Sequence, residues 1–192
     1  MKKIAATFDE STDGVSPIYP GTYPGHVASL VTRQFDSGST VFNLTFKIAD
    51  EAKETTIIKQ HKNGSGSFEP VLDEKGKPIE TTANHMVGKT FYANGIWLTP
   101  NPEKGQGWKN RKYLEAFQNL GVAFDRNKDG IVTLAEVEED DVVGSPALVR
   151  LSEQEYTNRN GEARTAFKVD NIMPWESGKK MSSAELNDDV PF

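Results

Sequence analysis

The stretch from Thr40 to Ile48 constrains the fold more than any other part of this chain, because apolar and polar side chains alternate along all of it. Its regularly spaced apolar positions are Phe42, Leu44, Phe46 and Ile48. The positions between them are Val41, Asn43, Thr45 and Lys47. Successive side chains of a β-strand point to opposite faces, so this period of two predicts a strand with one buried and one open face.

Neighbouring segments extend this strand into a sheet. Residues 22–33 read as an extended partner, and the turn composition of residues 36–39 predicts a hairpin between the two. Residues 87–98 are rich in strand formers, and Gly95 within them allows a bulge. Residues 147–155 and 165–172, separated by turn residues 157–161, predict a closing hairpin.

One helix is predicted between the third strand and this closing hairpin. Tyr113, Leu114, Phe117 and Leu120 recur at helical spacing, and Gly121 follows as a stop signal. The fold class expected from these elements is mainly β: five strands, arranged as a small closed or half-open barrel, with one main helix before the last two strands.

The length of 192 residues favours one folded domain with appendages. We predict a flexible leader over residues 1–20, a domain over residues 21–175 and a disordered acidic tail over residues 176–192. Within the domain, residues 50–85 read as an insertion and residues 122–142 as an acidic connector.

Charge and cysteine content limit the function classes. The net charge is −6, but residues 125–141 contribute about −5 and residues 176–192 about −2, which leaves roughly +1 for the remainder. A basic groove on the remaining surface is therefore compatible with the overall acidity. The chain contains no cysteine, which excludes disulfides and zinc–thiolate sites, and it contains no apolar run that could span a bilayer. The expected location is the cytoplasm, with no membrane partner.

The last six residues form an acidic peptide that ends in an aromatic ring. Its proposed partner-binding positions are Asp188, Asp189, Val190, Pro191 and Phe192. Such a peptide offers a ring to an apolar pocket and carboxylates to a basic clamp. It resembles the C-terminal tips of bacterial single-stranded DNA-binding proteins, and that resemblance implies docking of replication and recombination proteins. The alternative is an acidic tail that ends in phenylalanine by chance.

A second resemblance covers more of the chain. Residues 87–98, 110–121 and 143–149 are similar in pattern to phage-encoded OB-fold proteins found beside replication and recombination genes. This resemblance implies an OB-like barrel that binds single-stranded DNA. A protein of this class needs cations for the backbone and aromatic faces for the bases.

Aromatic residues close to lysine or arginine are the candidates for DNA contact. The main cluster comprises Trp97, Trp108, Lys109, Arg111, Lys112 and Tyr113. Secondary candidates are Arg33, Phe35, Lys89 and Tyr92. For each aromatic residue the alternative is packing in the core, and for each cation it is an ordinary solvated surface.

Residues 125–136 satisfy the EF-hand pattern at every required position. The candidate oxygen ligands are Asp125, Asn127, Asp129, the Ile131 carbonyl and Glu136. A helix is expected to end near residue 124, and a short helical stretch is expected over residues 133–139. EF-hands usually work in pairs, so the alternative is an Asp-Asn-Gly turn in the connector. No cofactor is required by this interpretation, and structural Ca²⁺ is the one candidate.

Catalytic motifs do not stand out in the sequence. The histidines are His26, His61 and His85, and their spacing does not suit a metal. No phosphate-binding glycine loop and no nucleophile elbow is present. The expected function is therefore non-enzymatic: a protein of phage DNA replication or recombination that coats single-stranded DNA and recruits partner proteins through its tip. The alternative is a calcium-binding structural or regulatory module.

Overall fold

The computed structural model describes residues 18–100, 107–158 and 160–187. The strands are β1 Gly21–Gln34, β2 Thr40–Ile48, β3 Thr56–Ile58, β4 Gln60–Lys62, β5 Phe68–Pro70, β6 Glu80–Thr82, β7 Thr90–Leu98, β8 Pro146–Thr157 and β9 Ala163–Pro174. The α-helices are α1 Arg111–Asn119, α2 Glu139–Val142 and α3 Ser183–Asn187. Short 3-10 helices cover Asp50–Glu54, Asn84–Met86 and Gly107–Asn110. The predicted mainly β class is confirmed.

The five long strands form one antiparallel sheet in the order β7-β2-β1-β8-β9. The alternation that predicted β2 is present in the structure, since Leu44 pairs with Leu30 on one side and with Ala93 on the other, all facing the core. The sheet curls so that its outer strands β7 and β9 contact each other, but no ladder joins them. The structure thus shows a curled five-stranded sheet with few helices.

A bulge interrupts β7 opposite Asn43. Phe42 pairs with Ile96 and Leu44 with Ala93, so β7 carries one residue more than β2 over this interval. Gly95 has a φ of +71°, which favours glycine, and its N–H donates to Asn43 Oδ1 at 3.1 Å. The bulge that Gly95 allows in the sequence is therefore present.

Helix α1 closes one side of the core with aromatic rings. Tyr113 and Phe117 project from α1 onto Phe42, with ring centroids 5.0 and 5.5 Å from that of Phe42. All three side chains are fully buried. Each aromatic pair of this kind adds about 0.5–1.5 kcal/mol to the stability that comes from burying apolar area.

Residues 50–85 fold into two small two-stranded sheets, β3 with β6 and β4 with β5. The β4–β5 hairpin packs on the part of the β8–β9 hairpin that extends beyond β1. Phe68 meets Phe167 edge-to-face at 5.7 Å, and Lys62 forms an ion pair with Glu153. The predicted insertion is thus ordered by contacts with the last two strands of the sheet.

The C-terminal strap, residues 176–187, differs from the disordered tail predicted for it. Its Met181 N–H donates to the Gly144 carbonyl at 3.0 Å, and its Leu186 carbonyl accepts from Lys47 Nζ at 2.8 Å. Leu186 is buried, and Ser182 and Glu185 cap α3 through mutual hydrogen bonds. The segment contains few apolar residues, which led to the prediction of disorder, but backbone groups and one leucine make the contacts that hold it.

The end of the predicted leader is also ordered against the domain. Tyr19 is buried, and its carbonyl accepts a hydrogen bond from the Tyr23 hydroxyl. Residues 1–17 lie outside the described part.

His26 is buried under this strap, beside Trp175. Its Nε2 lies 3.0 Å from the Lys179 carbonyl, which can only accept, so Nε2 carries the hydrogen. Burial lowers the pKa of His26 below its ordinary value, against smaller opposing effects of this hydrogen bond and of Glu51. Lys47, Asp50 and Glu51 line the same cleft.

We expect acid to loosen the strap. Because the folded pKa of His26 is lowered, the neutral ring stabilises docking fully above about pH 6.5, and this contribution is lost as the pH falls through the lowered pKa. Hydrogen exchange of the strap amides, corrected for intrinsic rates, should show less protection at pH 5 than at pH 7.5. In a His26→Gln variant, which keeps a donor but does not titrate, the difference should vanish. Equal pH dependence in both proteins would contradict the role of His26.

No helix in the described residues is long and apolar enough to cross a bilayer.

Candidate nucleic-acid interface

The side of the sheet that faces away from the core is open along β1, β2 and β7. Its outward residues beyond the strap are Ser29, Val31, Arg33, Val41, Asn43, Thr45, Tyr92, Asn94 and Trp97, with Lys47 at the strap end; all are exposed or half-buried except Val41, which is buried. We call this surface the open face. None of these residues is acidic, and two of them are cationic. An acid-free face with cations suits a polyanion, although the chain as a whole is acidic.

The bulge in β7 places two aromatic residues on this face, both of them predicted to contact DNA. Tyr92 and Trp97 are five positions apart, so a regular strand would point them to opposite sides. The extra residue of the bulge puts both side chains on the same side of the sheet. Trp97 is 41% exposed and Tyr92 54% exposed. Tyr92 pairs with Thr45, and Trp97 pairs with Val41.

Three side chains at one end of the open face form a ring ladder, defined as Arg33, Phe35 and Trp97. The Arg33 guanidinium carbon lies 4.9 Å from the Phe35 ring centroid. The centroids of Phe35 and Trp97 are 5.1 Å apart, with the ring planes inclined by 33°. The structure therefore brings together two of the secondary DNA-binding candidates and one of the main cluster.

Trp108 and Arg111 lie at the same end of the molecule as the ring ladder. Trp108 is 70% exposed and lines a groove of about 920 Å³ with Gly38 of the β1–β2 turn and Arg111. Lys109 and Lys112 are exposed, but Lys112 lines a separate cleft with Ile96 of β7 and Asp170 of β9. Arg111 is exposed and its Nε donates to Glu115 at 2.6 Å; this hydrogen bond and the Glu115 charge raise the pKa of the guanidinium.

Tyr113 does not belong to this surface, which corrects the prediction of a DNA contact. It is completely buried, and its hydroxyl donates to the Ala135 carbonyl at 2.6 Å and accepts from the Val137 N–H at 3.1 Å. Burial raises the pKa of Tyr113 to about 12. The helical spacing that placed Tyr113 on the apolar side of α1 already pointed to the core, whereas its closeness in sequence to Trp108 misled the assignment.

Lys89 precedes β7 and is half-buried, and burial lowers the pKa of its amino group. Its carbonyl accepts from the Ile48 N–H, which fixes the backbone at the strap end of the open face. Lys89 and Tyr92 therefore lie at the end opposite the ring ladder.

The loop with the EF-hand pattern folds as a tight hairpin. The N–H of Asn127 donates to the Ile131 carbonyl at 3.0 Å, and the Gly130 N–H donates to the Asn127 carbonyl at 3.0 Å. The Asn127 Oδ1 accepts from the N–H groups of Asp129 and Ile131. Two of the predicted metal ligands, the Asn127 side chain and the Ile131 carbonyl, are thus engaged within the turn.

The same turn recurs elsewhere in the chain. In each case an Asn or Asp accepts two backbone N–H groups and a glycine with φ near +80° stands three residues later. The other examples begin at Asn63, Asp73 and Asn158. This is the three-residue hairpin loop that ends in a glycine bulge. The Asn-x-Asp-Gly part of the EF-hand pattern is therefore explained by a turn that this chain uses repeatedly.

The flanks of this loop also differ from an EF-hand. Residues 133–138 are not helical, so the short helix predicted over residues 133–139 is wrong; a helix begins only at α2. Glu136 Oε1 accepts from the Thr40 hydroxyl at 2.8 Å, which ties the loop to β2. Among the described residues no group of three or more His, Asp or Glu side chains is placed to hold a metal ion. Asp125 and Asp129 are exposed.

The predicted partner-binding positions Asp188, Asp189, Val190, Pro191 and Phe192 lie outside the described residues. The open face also includes Val31 and Asn43, which the sequence interpretation missed. Val31 is 61% exposed, and its alternation with Arg33 in β1 is the signal that could have revealed it.

No family model and no curated protein matches this chain.

Proposed function

We propose that this protein binds single-stranded DNA on its open face, with bases stacked on Trp97 and Tyr92 and the backbone held by cations such as Arg33. The observation that carries the proposal is the combination of exposed rings, cations and no acidic residue on one side of β1, β2 and β7. Base stacking on such rings contributes about 1–3 kcal/mol for each base and tolerates any sequence.

The arrangement of the sheet supports an OB-like interpretation. In that five-stranded, partly open barrel, the face of the second and third strands and the loop between the first two bind oligonucleotides. Here the second and third long strands are β2 and β7, and the loop between the first two carries Phe35. The contact between β7 and β9 is compatible with a partly open barrel.

The wider biological role follows from the resemblances described for the sequence. We propose a non-enzymatic protein of phage replication or recombination, in which residues 188–192 recruit partner proteins while the open face holds DNA. In the sequence this peptide directly follows α3, whose Leu186 carbonyl accepts a hydrogen bond from Lys47 of β2.

Titration of the intrinsic tryptophan fluorescence with oligo-dT and with duplex of equal length tests the proposal. Oligo-dT should quench the fluorescence and bind more tightly than duplex, with an affinity that falls steeply as salt increases. Trp97→Ala should weaken oligo-dT binding by about 5- to 150-fold, since one stacked base is worth about 1–3 kcal/mol.

Leu72→Ala provides the control, because Leu72 is exposed on residues 50–85, outside the open face. Its oligo-dT affinity should equal that of the unmodified chain. No binding of oligo-dT at low salt, or equal losses for Trp97→Ala and Leu72→Ala, would refute the proposed function.

A further inference from the structure

Phe35 occupies a special position between a cation and a ring. Arg33 lies on β1 and Trp97 on β7, with Val41 of β2 between them in register. Two strand spacings, about 9.6 Å, separate the backbones at these positions. The Phe35 ring contacts both side chains, since its centroid lies 4.9 Å from the Arg33 guanidinium carbon and 5.1 Å from the Trp97 ring centroid. Phe35 therefore links the side chains of two strands that are not neighbours in the sheet.

The backbone of Phe35 is fixed by the turn that follows it. Its N–H donates to the Ser39 carbonyl at 2.9 Å, and its carbonyl accepts from the Gly38 N–H at 2.8 Å. Gly38 has a φ of +78°, as the glycine of such a turn requires. The ring therefore projects from a short, hydrogen-bonded loop, which limits the positions that it can take.

The Trp97 indole also lies close to the bulge. A Cβ atom on Gly95 would lie 3.8 Å from Trp97 Nε1, so the indole nitrogen is near the bulge backbone. The side chain is still 41% exposed, which leaves indole surface for a base. An indole fixed in this way loses little conformational entropy when a base stacks on it.

We propose that Phe35 is a positioning residue for nucleic-acid binding: it holds the Trp97 indole in the orientation that accepts a base and does not itself stack on DNA. This inference rests on the proposed function of the open face. It assigns the base contact to Trp97 and gives Phe35 an indirect role. Arg33, which also contacts the Phe35 ring, keeps its cation beside this site for a backbone phosphate.

A double-mutant cycle distinguishes positioning from direct contact. Phe35→Ala should weaken oligo-dT binding by about two- to tenfold, the worth of an aromatic pair. In a Trp97→Ala background the same change should have no further effect, because its action passes through the indole. Phe35→Tyr, which keeps the ring, should restore the affinity. Independent, multiplicative losses from the two substitutions would show that Phe35 contacts DNA directly and would overturn the proposal.

A measurement without DNA separates this inference from the proposed function. In protein labelled with 5-fluorotryptophan, a Trp97→Phe variant assigns the Trp97 ¹⁹F signal. Phe35→Leu should shift and narrow that signal as the indole gains motion, whereas Val31→Ala on the same face should leave it unchanged. An unchanged signal in Phe35→Leu would overturn the positioning role even if oligo-dT binds. If the signal responds but no variant binds oligo-dT, the proposed function fails and Phe35 is only a packing partner of Trp97.

Discussion

Replacing Gly144 with alanine is expected to release the C-terminal strap and to lower the free energy of unfolding by about 3 kcal/mol. A Cβ atom at Gly144 would lie 1.8 Å from the Met181 carbonyl oxygen, so the strap cannot stay in place. The φ of +79° adds the cost of a left-handed conformation, about 1–2 kcal/mol. Undocking also exposes Leu186, whose burial is worth about 1.5–3 kcal/mol. Urea unfolding measures the stability, and trypsin cleavage after Lys179 and Lys180 measures the release.

The Gly130→Ala variant separates the steric clash at residue 144 from the cost of the left-handed backbone conformation. Gly130 has the same φ of +79°, and a Cβ atom there would have no neighbour within 4 Å. This variant should lose only about 1–2 kcal/mol, and its strap should resist trypsin like that of the unmodified protein. Equal protection of the strap in the two variants would show that Gly144 does not hold it.

Phe42→Ala is expected to lower the free energy of unfolding by about 3–5 kcal/mol, the usual cost of removing a buried phenylalanine ring. Phe42 is fully buried and joins the sheet to α1 through its contacts with Tyr113 and Phe117. Its removal leaves a cavity at the junction of the two, which the neighbouring rings fill only partly. The midpoint of urea unfolding, with the slope held constant, provides the measurement.

Tyr92→Ala is the comparison for this second variant, since Tyr92 also lies on the sheet but is exposed. Its stability should stay within about 0.5 kcal/mol of the unmodified protein. A loss at Phe42 as small as that at Tyr92 would mean that the contact between β2 and α1 contributes little to the fold.

Local patterns predicted the sheet closely, because its strands follow periodicities that depend on neighbouring residues alone. β2 lies at the predicted bounds, and the bulge at Gly95 follows from the freedom of glycine. Helix α1 likewise follows from its apolar spacing and its stop at Gly121. The pairings of β7 with β2 and of β1 with β8, by contrast, depend on contacts distant in sequence.

The predicted disorder of the strap and the predicted helix after residue 133 were wrong for one physical reason: composition does not show where backbone groups find their partners. The strap consists mostly of polar residues, yet its carbonyl and N–H groups bond to Gly144, His26 and Lys47. The EF-hand pattern matched the ligand positions, but the same residues also build a hairpin turn. Tyr113 was assigned by its neighbours in sequence, whereas the face of the helix decided its burial.

Because β7 carries one extra residue, the number of residues in the strand decides which side chains reach the open face, as well as their types. If the strand ran regularly at its present length, the phase of everything downstream of the bulge would be inverted. Ile96 would then turn towards solvent and the indole towards the interior, without a single side chain of the site being altered. Deleting one of the two residues at the bulge, Asn94 or Gly95, would instead leave Tyr92 and Trp97 four positions apart, and a regular strand would then keep both rings on the open face.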